Sequence, residues 1–352
     1  MNSIDKANKV FSEKYGVDSP MVIPDFVRNF VRNKRSEEDL AIEDNICKKL
    51  KESSSGKDSQ LKDIFKLTLT ELEVKFECNV NIGSFEYDFY IPKKNMLLNI
   101  CPTVTHNNLF SFDEYGKGVP SIQHKAEAEN AFNNGYRCIH VFDWDNIFII
   151  LNEISSNTES LKEPVVETLN KVLYKSFISQ YSMFSAERPG NKLYGLYSNN
   201  DLVAVGSFRK STSKKYSWEM TRYCEDSCVI SEDRLKSIIN KFISDVNPEN
   251  IVTYVDLSKY SGKEYENVGF KYIETIYPQR IWSKGIHRIL HNSIAGRKYD
   301  DIFHTNYGST HSTYTQMIEN GWLPVYDCGK KTYLFEKVND GCIKAQKQKV
   351  EN

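Results

Sequence analysis

Phe85-Glu-Tyr-Asp-Phe-Tyr-Ile-Pro-Lys-Lys-Asn-Met-Leu-Leu-Asn-Ile-Cys-Pro-Thr-Val-Thr-His-Asn107 is the stretch on which the reading of this chain turns. Asp88 sits in an apolar, aromatic run that predicts a strand over residues 85–91. A turn follows at residues 92–95, and a second apolar strand covers 96–100. The turn folds the second strand back beside the first, so Asp88 and His106 are expected to meet at one end of a sheet. A carboxylate suits a hard cation that also takes phosphate oxygens, and an imidazole can move protons at neutral pH. Together they are the groups that metal-dependent phosphodiester hydrolysis needs. Each also has a plainer reading, Asp88 on a water-facing edge strand and His106 as a surface or hydrogen-bonded histidine.

Outward from the hairpin, Leu61, Ile64 and Phe65 recur at helical spacing, and residues 73–81 alternate as a strand. A glycine-bearing loop over 111–120 leads to a helix over 124–133 that Gly135 ends. Residues 137–143 read as a buried strand finishing in Asp143-Trp144-Asp145. The order helix, three strands, helix, strand predicts an α/β, restriction-endonuclease-like core. His124 opens its helix either toward the same cleft or at the surface, and Lys125 beside it could hold a phosphate. Asp143 and Asp145 either join the site or cap the helix that follows.

The flanks differ in character. Residues 1–57 are polar and lysine-rich, predicting short helices over 6–16, 23–33 and 37–51 and a flexible linker over 53–57. Lys6, Lys9, Lys14, Arg28, Arg32, Lys34 and Arg35 lie there and, with Lys125, are candidate phosphate contacts. The expected domains are therefore a helical DNA-binding module over 1–57, a nuclease core over 58–155 and an α+β domain over 165–340. In the last, two strands around Asn199-Asn-Asp201, a strand, a helix over 232–246, a strand, a short helix and a strand resemble the acetyltransferase-like (GNAT-like) order. A tail strand pair is expected around Cys328-Gly-Lys-Lys331. The 352 residues carry a net charge of −1 and eight cysteines without a CxxC pair. With no secretory leader and no apolar run longer than residues 147–151, they predict a soluble cytoplasmic protein with reduced thiols, without membrane contact.

Residues 85–107, Gln123-His-Lys125 and Gly135-Tyr-Arg-Cys-Ile-His-Val-Phe-Asp-Trp-Asp145 resemble phage-encoded endonucleases of the very-short-patch-repair type, homing endonucleases included. Phe11-Ser-Glu-Lys-Tyr-Gly-Val-Asp-Ser-Pro20 is similar to a helical module of the same proteins that is thought to grip DNA. The resemblance implies a bacteriophage-type endonuclease acting on double-stranded DNA with Mg²⁺ or Mn²⁺, in the host cytoplasm where the gene is phage-borne. It implies Asp88 and the Ile100 carbonyl as metal ligands, His106 as acid–base group and His124 as a phosphate-side group. Asp63 fits the expected helix acid best, with Asp58 and Glu71 as rivals.

The chain departs from that pattern where the family's strand glutamate is Asn99 and the following Asn is Cys101, and an amide cannot replace a carboxylate's charge at a metal. Three functions are thus in competition: a metal-dependent DNA endonuclease; a catalytically inactive, nuclease-derived DNA- or protein-binding protein; and an acyltransferase. The last is disfavoured because residues 229–235, where the fold holds a pyrophosphate, contain no glycine and two acids. The C-terminal domain could extend a DNA footprint through Arg209, Lys210, Lys214, Lys215, Arg297 and Lys298. The sequence leaves the oligomeric state open, a homodimer among the options.

Overall fold

A computed structural model describes residues 36–54, 57–109, 122–155, 164–184, 188–226, 230–290, 294 and 313–337. Both predicted helices before residue 35, their seven basic residues, the 111–120 loop, Arg297 and Lys298 lie outside the described residues. The chain forms two compact units, one of residues 1–147, 256–261 and 276–330, the other of 148–255, 262–275 and 331–352.

The first unit begins with two helices, α1 (Glu37–Ser54) and α2 (Lys57–Glu71). The strands β1 (Glu77–Ile82), β2 (Phe85–Ile91) and β3 (Met96–Cys101) then run as an antiparallel meander. The β2–β3 turn closes because Asn95 adopts the left-handed conformation after the 3₁₀ turn Pro92–Lys94. A four-residue helical turn, α3 (Thr103–His106), follows β3. Helix α4 (Gln123–Asn133) returns the chain to β4 (Arg137–Phe142), which pairs parallel to β3. Sheet order β1-β2-β3-β4 makes β3 a central strand, and all six of its residues are buried. Gly135, at φ +83°, supplies the left-handed turn between α4 and β4. Ala128, Ala131 and Phe132 of α4 pack with Tyr87, Leu97 and Cys138 of the sheet.

The second unit opens with α5 (Ile147–Ser155), most of which belongs to it, then β5 (Val165–Thr168) and α6 (Lys171–Tyr181). Asn170 caps α6 by accepting from the N–H groups of Val172 and Leu173. Strands β6 (Lys192–Ser198) and β7 (Asp201–Lys210) join through Asn199 and Asn200, both at positive φ, the requirement of a two-residue hairpin turn. Then come β8 (Trp218–Glu225), α7 (Glu232–Val246), β9 (Asn250–Asp256), α8 (Lys263–Asn267) and β10 (Lys271–Ile276). Leu235, Ile238, Ile239 and Phe242 recur at helical spacing on α7 and are buried, with Phe242 stacked 3.9 Å from Phe208 of β7.

After β10 the chain enters the first unit again, where β11 (Arg280–Lys284), β12 (His287–Leu290), α9 (Thr313–Glu319) and β13 (Leu323–Tyr326) follow. The three strands form their own sheet, β12-β11-β13, around Trp282, Met317 and Trp322. The final strand, β14 (Lys330–Glu336), lies between β10 and β9 in a seven-stranded sheet of order β10-β14-β9-β8-β7-β6-β5. Strands β5 to β8 are antiparallel neighbours, and β8 pairs parallel to β9. This is the GNAT-like order, so the C-terminal domain of a mixed α/β chain has the expected fold. Two expectations change. The tail strands are not a pair, because the turn at Cys328-Gly329 sends β13 and β14 into different sheets. Residues 276–330, assigned to the C-terminal domain from sequence, cluster with the first unit as an insertion between β10 and β14.

Candidate functional site

The sheet end reached by β2 and β3 gathers the polar side chains of the first unit. Both carboxylate oxygens of Asp88 are engaged there. Oδ1 lies 2.6 Å from Lys62 Nζ of α2, and Oδ2 accepts the Ile100 N–H at 2.7 Å. Asn99 accepts from the Asp88 N–H at 3.3 Å and donates to Glu127 Oε2 at 2.9 Å. Glu127 also accepts from Gln123 at 2.7 Å and stands 3.0 Å from His140 Nε2. Burial opposes its ionisation, yet the bond to His140 leads the contacts that draw the carboxyl down to about 2. Gln123, His124 and Glu127 fall three and four residues apart on α4 and so share a face.

Beside this network lie two imidazoles. His106 Nδ1 is 3.3 Å from His124 Nε2, with the rings stacked at 5.6 Å. His124 Nδ1 is 2.7 Å from the Tyr326 carbonyl, which only accepts, so Nδ1 carries the proton and Nε2 the lone pair. Burial, then the proximity of His124, pushes His106 down to about 3; burial, then His140, pushes His124 down to about 4. At neutral pH both are uncharged and have no surplus proton to give. Cys101 Sγ lies within 4.8 Å of one ring nitrogen of each histidine.

The resemblance implied Mg²⁺ or Mn²⁺ on Asp88 and the Ile100 carbonyl. The donor set does not fit such an ion, which takes a shell of oxygens. Asp88 is already neutralised by Lys62, and what Ile100 brings to it is an N–H. An amide, Asn99, stands where a second carboxylate is needed. Asp63 is a further correction: it is exposed on α2, and its neighbour Lys62 enters the site instead. Glu71 is exposed at the end of the same helix, and the Asp58 side chain lies outside the described residues. Lys125 is paired with Glu129 at 2.6 Å and stands over the Tyr277 ring. Asp143 and Asp145 hold structure: Asp143 accepts from the Thr103 N–H, while Asp145 accepts from that of Phe142 and pairs with buried Lys259 at 2.6 Å. Sequence reasoning named Asp88, His106 and His124 but missed Lys62, Glu127, His140 and Cys101 as members. The one available signal was the shared helical face of Gln123, His124 and Glu127.

In the second unit the place where a GNAT-like fold would hold a nucleotide cofactor is the parting of β8 and β9 with the start of α7. The two strands pair from Trp218↔Ile251 to Met220↔Thr253, and beyond these Tyr223 and Tyr265 are buried. Glu225 accepts from the Ser231 N–H at 2.7 Å and from the Tyr223 hydroxyl at 2.6 Å, while Arg234 pairs with Asp226. Glu232 and Asp233 occupy the first turn of α7. A helix start that binds pyrophosphate needs open N–H groups and no competing anion. Here Glu225 takes the Ser231 N–H, and Glu232 and Asp233 stand in the first turn.

No protein-family profile matches the sequence, and no curated protein does. Solved structures similar to it include acetyltransferases. An N-acetyltransferase from Staphylococcus aureus Mu50 is 12% identical with a TM-score of 0.29, covering 50% of this chain and 99% of its own. A Bacillus subtilis acetyltransferase in complex with CoA is 10% identical with a TM-score of 0.29, covering 50% and 100%. Aminoglycoside 6'-acetyltransferase type Ii is 12% identical with a TM-score of 0.30, covering 49% and 96%. The class expected from the sequence, endonuclease and hydrolase, is therefore corrected: the likeness found is to acetyltransferase folds, and none of these findings supports a restriction-endonuclease-like core. Among the described residues no helix is long and apolar enough to cross a membrane, which says nothing of strand-built barrels.

Proposed function

We propose that this protein binds double-stranded DNA without hydrolysing it, through cationic surface on the second unit. The observation that carries the reading is the β7–β8 ribbon. Arg209, Lys210, Lys214 and Lys215 are all exposed within seven residues of its turn. Glu219 is bound to Arg209 through both oxygens, and Lys210 lies over the Trp218 ring at 4.4 Å. β7 and β8 are inner strands of the sheet, so a duplex would meet the connection between them, with its lysines on phosphates. The absence of hydrolysis rests on Asp88, whose charge is spent on Lys62 and the Ile100 N–H. Acetyl transfer is not favoured, because Glu232 and Asp233 in the first turn of α7 would repel a pyrophosphate.

Fluorescence anisotropy with a labelled duplex over a salt series tests the reading. Wild type should bind with a steep salt dependence. Replacing Lys210, Lys214 and Lys215 by alanine should weaken binding on every sequence and reduce the salt slope by roughly 2 to 3, since each phosphate contact contributes about 0.9. Plasmid incubated with Mg²⁺ or Mn²⁺ should stay supercoiled. Salt-insensitive or absent binding would overturn the proposal, as would nicking that Asp88→Ala abolishes. Binding of an acidic peptide in place of duplex would assign the ribbon to a protein partner.

A further inference from the structure

We propose that Cys101, His106 and His124 form a Zn²⁺ site in the first unit. They come from three separate elements: the end of β3, the α3 turn and the first turn of α4. Zn²⁺ takes thiolate and imidazole donors in a tetrahedron with Zn–N of about 2.0–2.1 Å, which sets the nitrogen–nitrogen edge at roughly 3.3 Å. His106 Nδ1 and His124 Nε2 are 3.3 Å apart. That spacing is long for a good hydrogen bond between two ring nitrogens and right for two ligands of one ion. Cys101 Sγ and one ring nitrogen of each histidine all lie within 4.8 Å of one another.

A second observation points the same way. His124 Nδ1 donates to the Tyr326 carbonyl, which fixes the tautomer and turns the Nε2 lone pair toward His106. Metal-bound histidines are oriented by this kind of bond from their other nitrogen. The donors are soft and borderline, unlike the oxygen shell of Mg²⁺, and so select Zn²⁺ among common ions. On binding, the Cys101 thiol releases its proton to solvent as the Zn–S bond forms. Three protein donors leave the fourth position to water or a small ligand. None of the ribbon lysines takes part, so the site stands or falls independently of DNA binding.

The test uses the full chain stripped of metal and titrated with Co²⁺ as a spectroscopic stand-in. Wild type should take up one ion per chain, with visible bands of tetrahedral intensity and a thiolate-to-cobalt charge-transfer band, both removed by added Zn²⁺. Cys101→Ser should lose the charge-transfer band, and His106→Gln should weaken binding by more than about a hundredfold, beyond the loss of an outer partner. Lack of a tetrahedral, thiolate-bearing spectrum in wild type would overturn the site, whatever the folding of the variants. So would a Cys101→Ser spectrum identical to wild type.

Discussion

Replacing Asp88 by alanine separates a structural carboxylate from a functional one. In the structure Asp88 supplies the acceptor for the N–H of Ile100, a residue only 1% exposed. Without it that N–H is buried and unpaired, at a cost of about 1–3 kcal/mol. The Lys62 pair adds less, because the two side chains are 34% and 12% exposed and solvent screens them; under about 1 kcal/mol is expected. Asp88→Ala should therefore destabilise the first unit by roughly 1–4 kcal/mol, and Asp88→Asn, which keeps an acceptor oxygen, by about 1 kcal/mol. A double-mutant cycle with Lys62→Met should give a coupling of about 0.5–1 kcal/mol. Urea unfolding followed by tryptophan fluorescence reports on this unit, since Trp144, Trp282 and Trp322 lie in it and Trp218 does not. A carboxylate retained for catalysis is often held at a cost in stability, so its removal stabilises. An Asp88→Ala variant more stable than wild type would refute the structural account.

Two further outcomes concern the second unit. Burial raises Glu225 to about 8, while Tyr223, the Ser231 N–H and Arg234, 3.6 Å away, only partly offset this. The folded chain then holds a proton that the unfolded chain releases near the ordinary 4.5, so this contribution to stability is full below that pH and lost as pH rises through about 8. Thermal melts across that range should show a decline that Glu225→Gln flattens, and parallel profiles would contradict it. Isothermal titration with acetyl-CoA should show no saturable heat, because Glu232 and Asp233 in the first turn of α7 repel a pyrophosphate; a clear binding isotherm would reject that reading.

How far the sequence was legible follows from the range over which each feature is encoded. The β2–β3 hairpin could be read because a strand pattern, a proline and an asparagine able to adopt the left-handed conformation stand side by side. Helix α7 could be read from Leu235, Ile238, Ile239 and Phe242, and the β6–β7 turn from Asn199-Asn200. The partner of a charged atom is encoded otherwise. Lys62 and Asp63 are adjacent in sequence but about 100° apart around a helix, so nothing local says which one reaches Asp88. The fate of β13 and β14 was hidden for the same reason. Adjacent strands usually pair, and only contacts with β9, β10 and β11 show that these two do not. His106 and His124 were both singled out, yet the bond that orients His124 comes from Tyr326, 202 residues away. Cys101 was read only as a departure from a pattern. It gains chemical meaning once the end of β3 is placed beside α3 and α4, where a thiol that interrupts one donor set completes another.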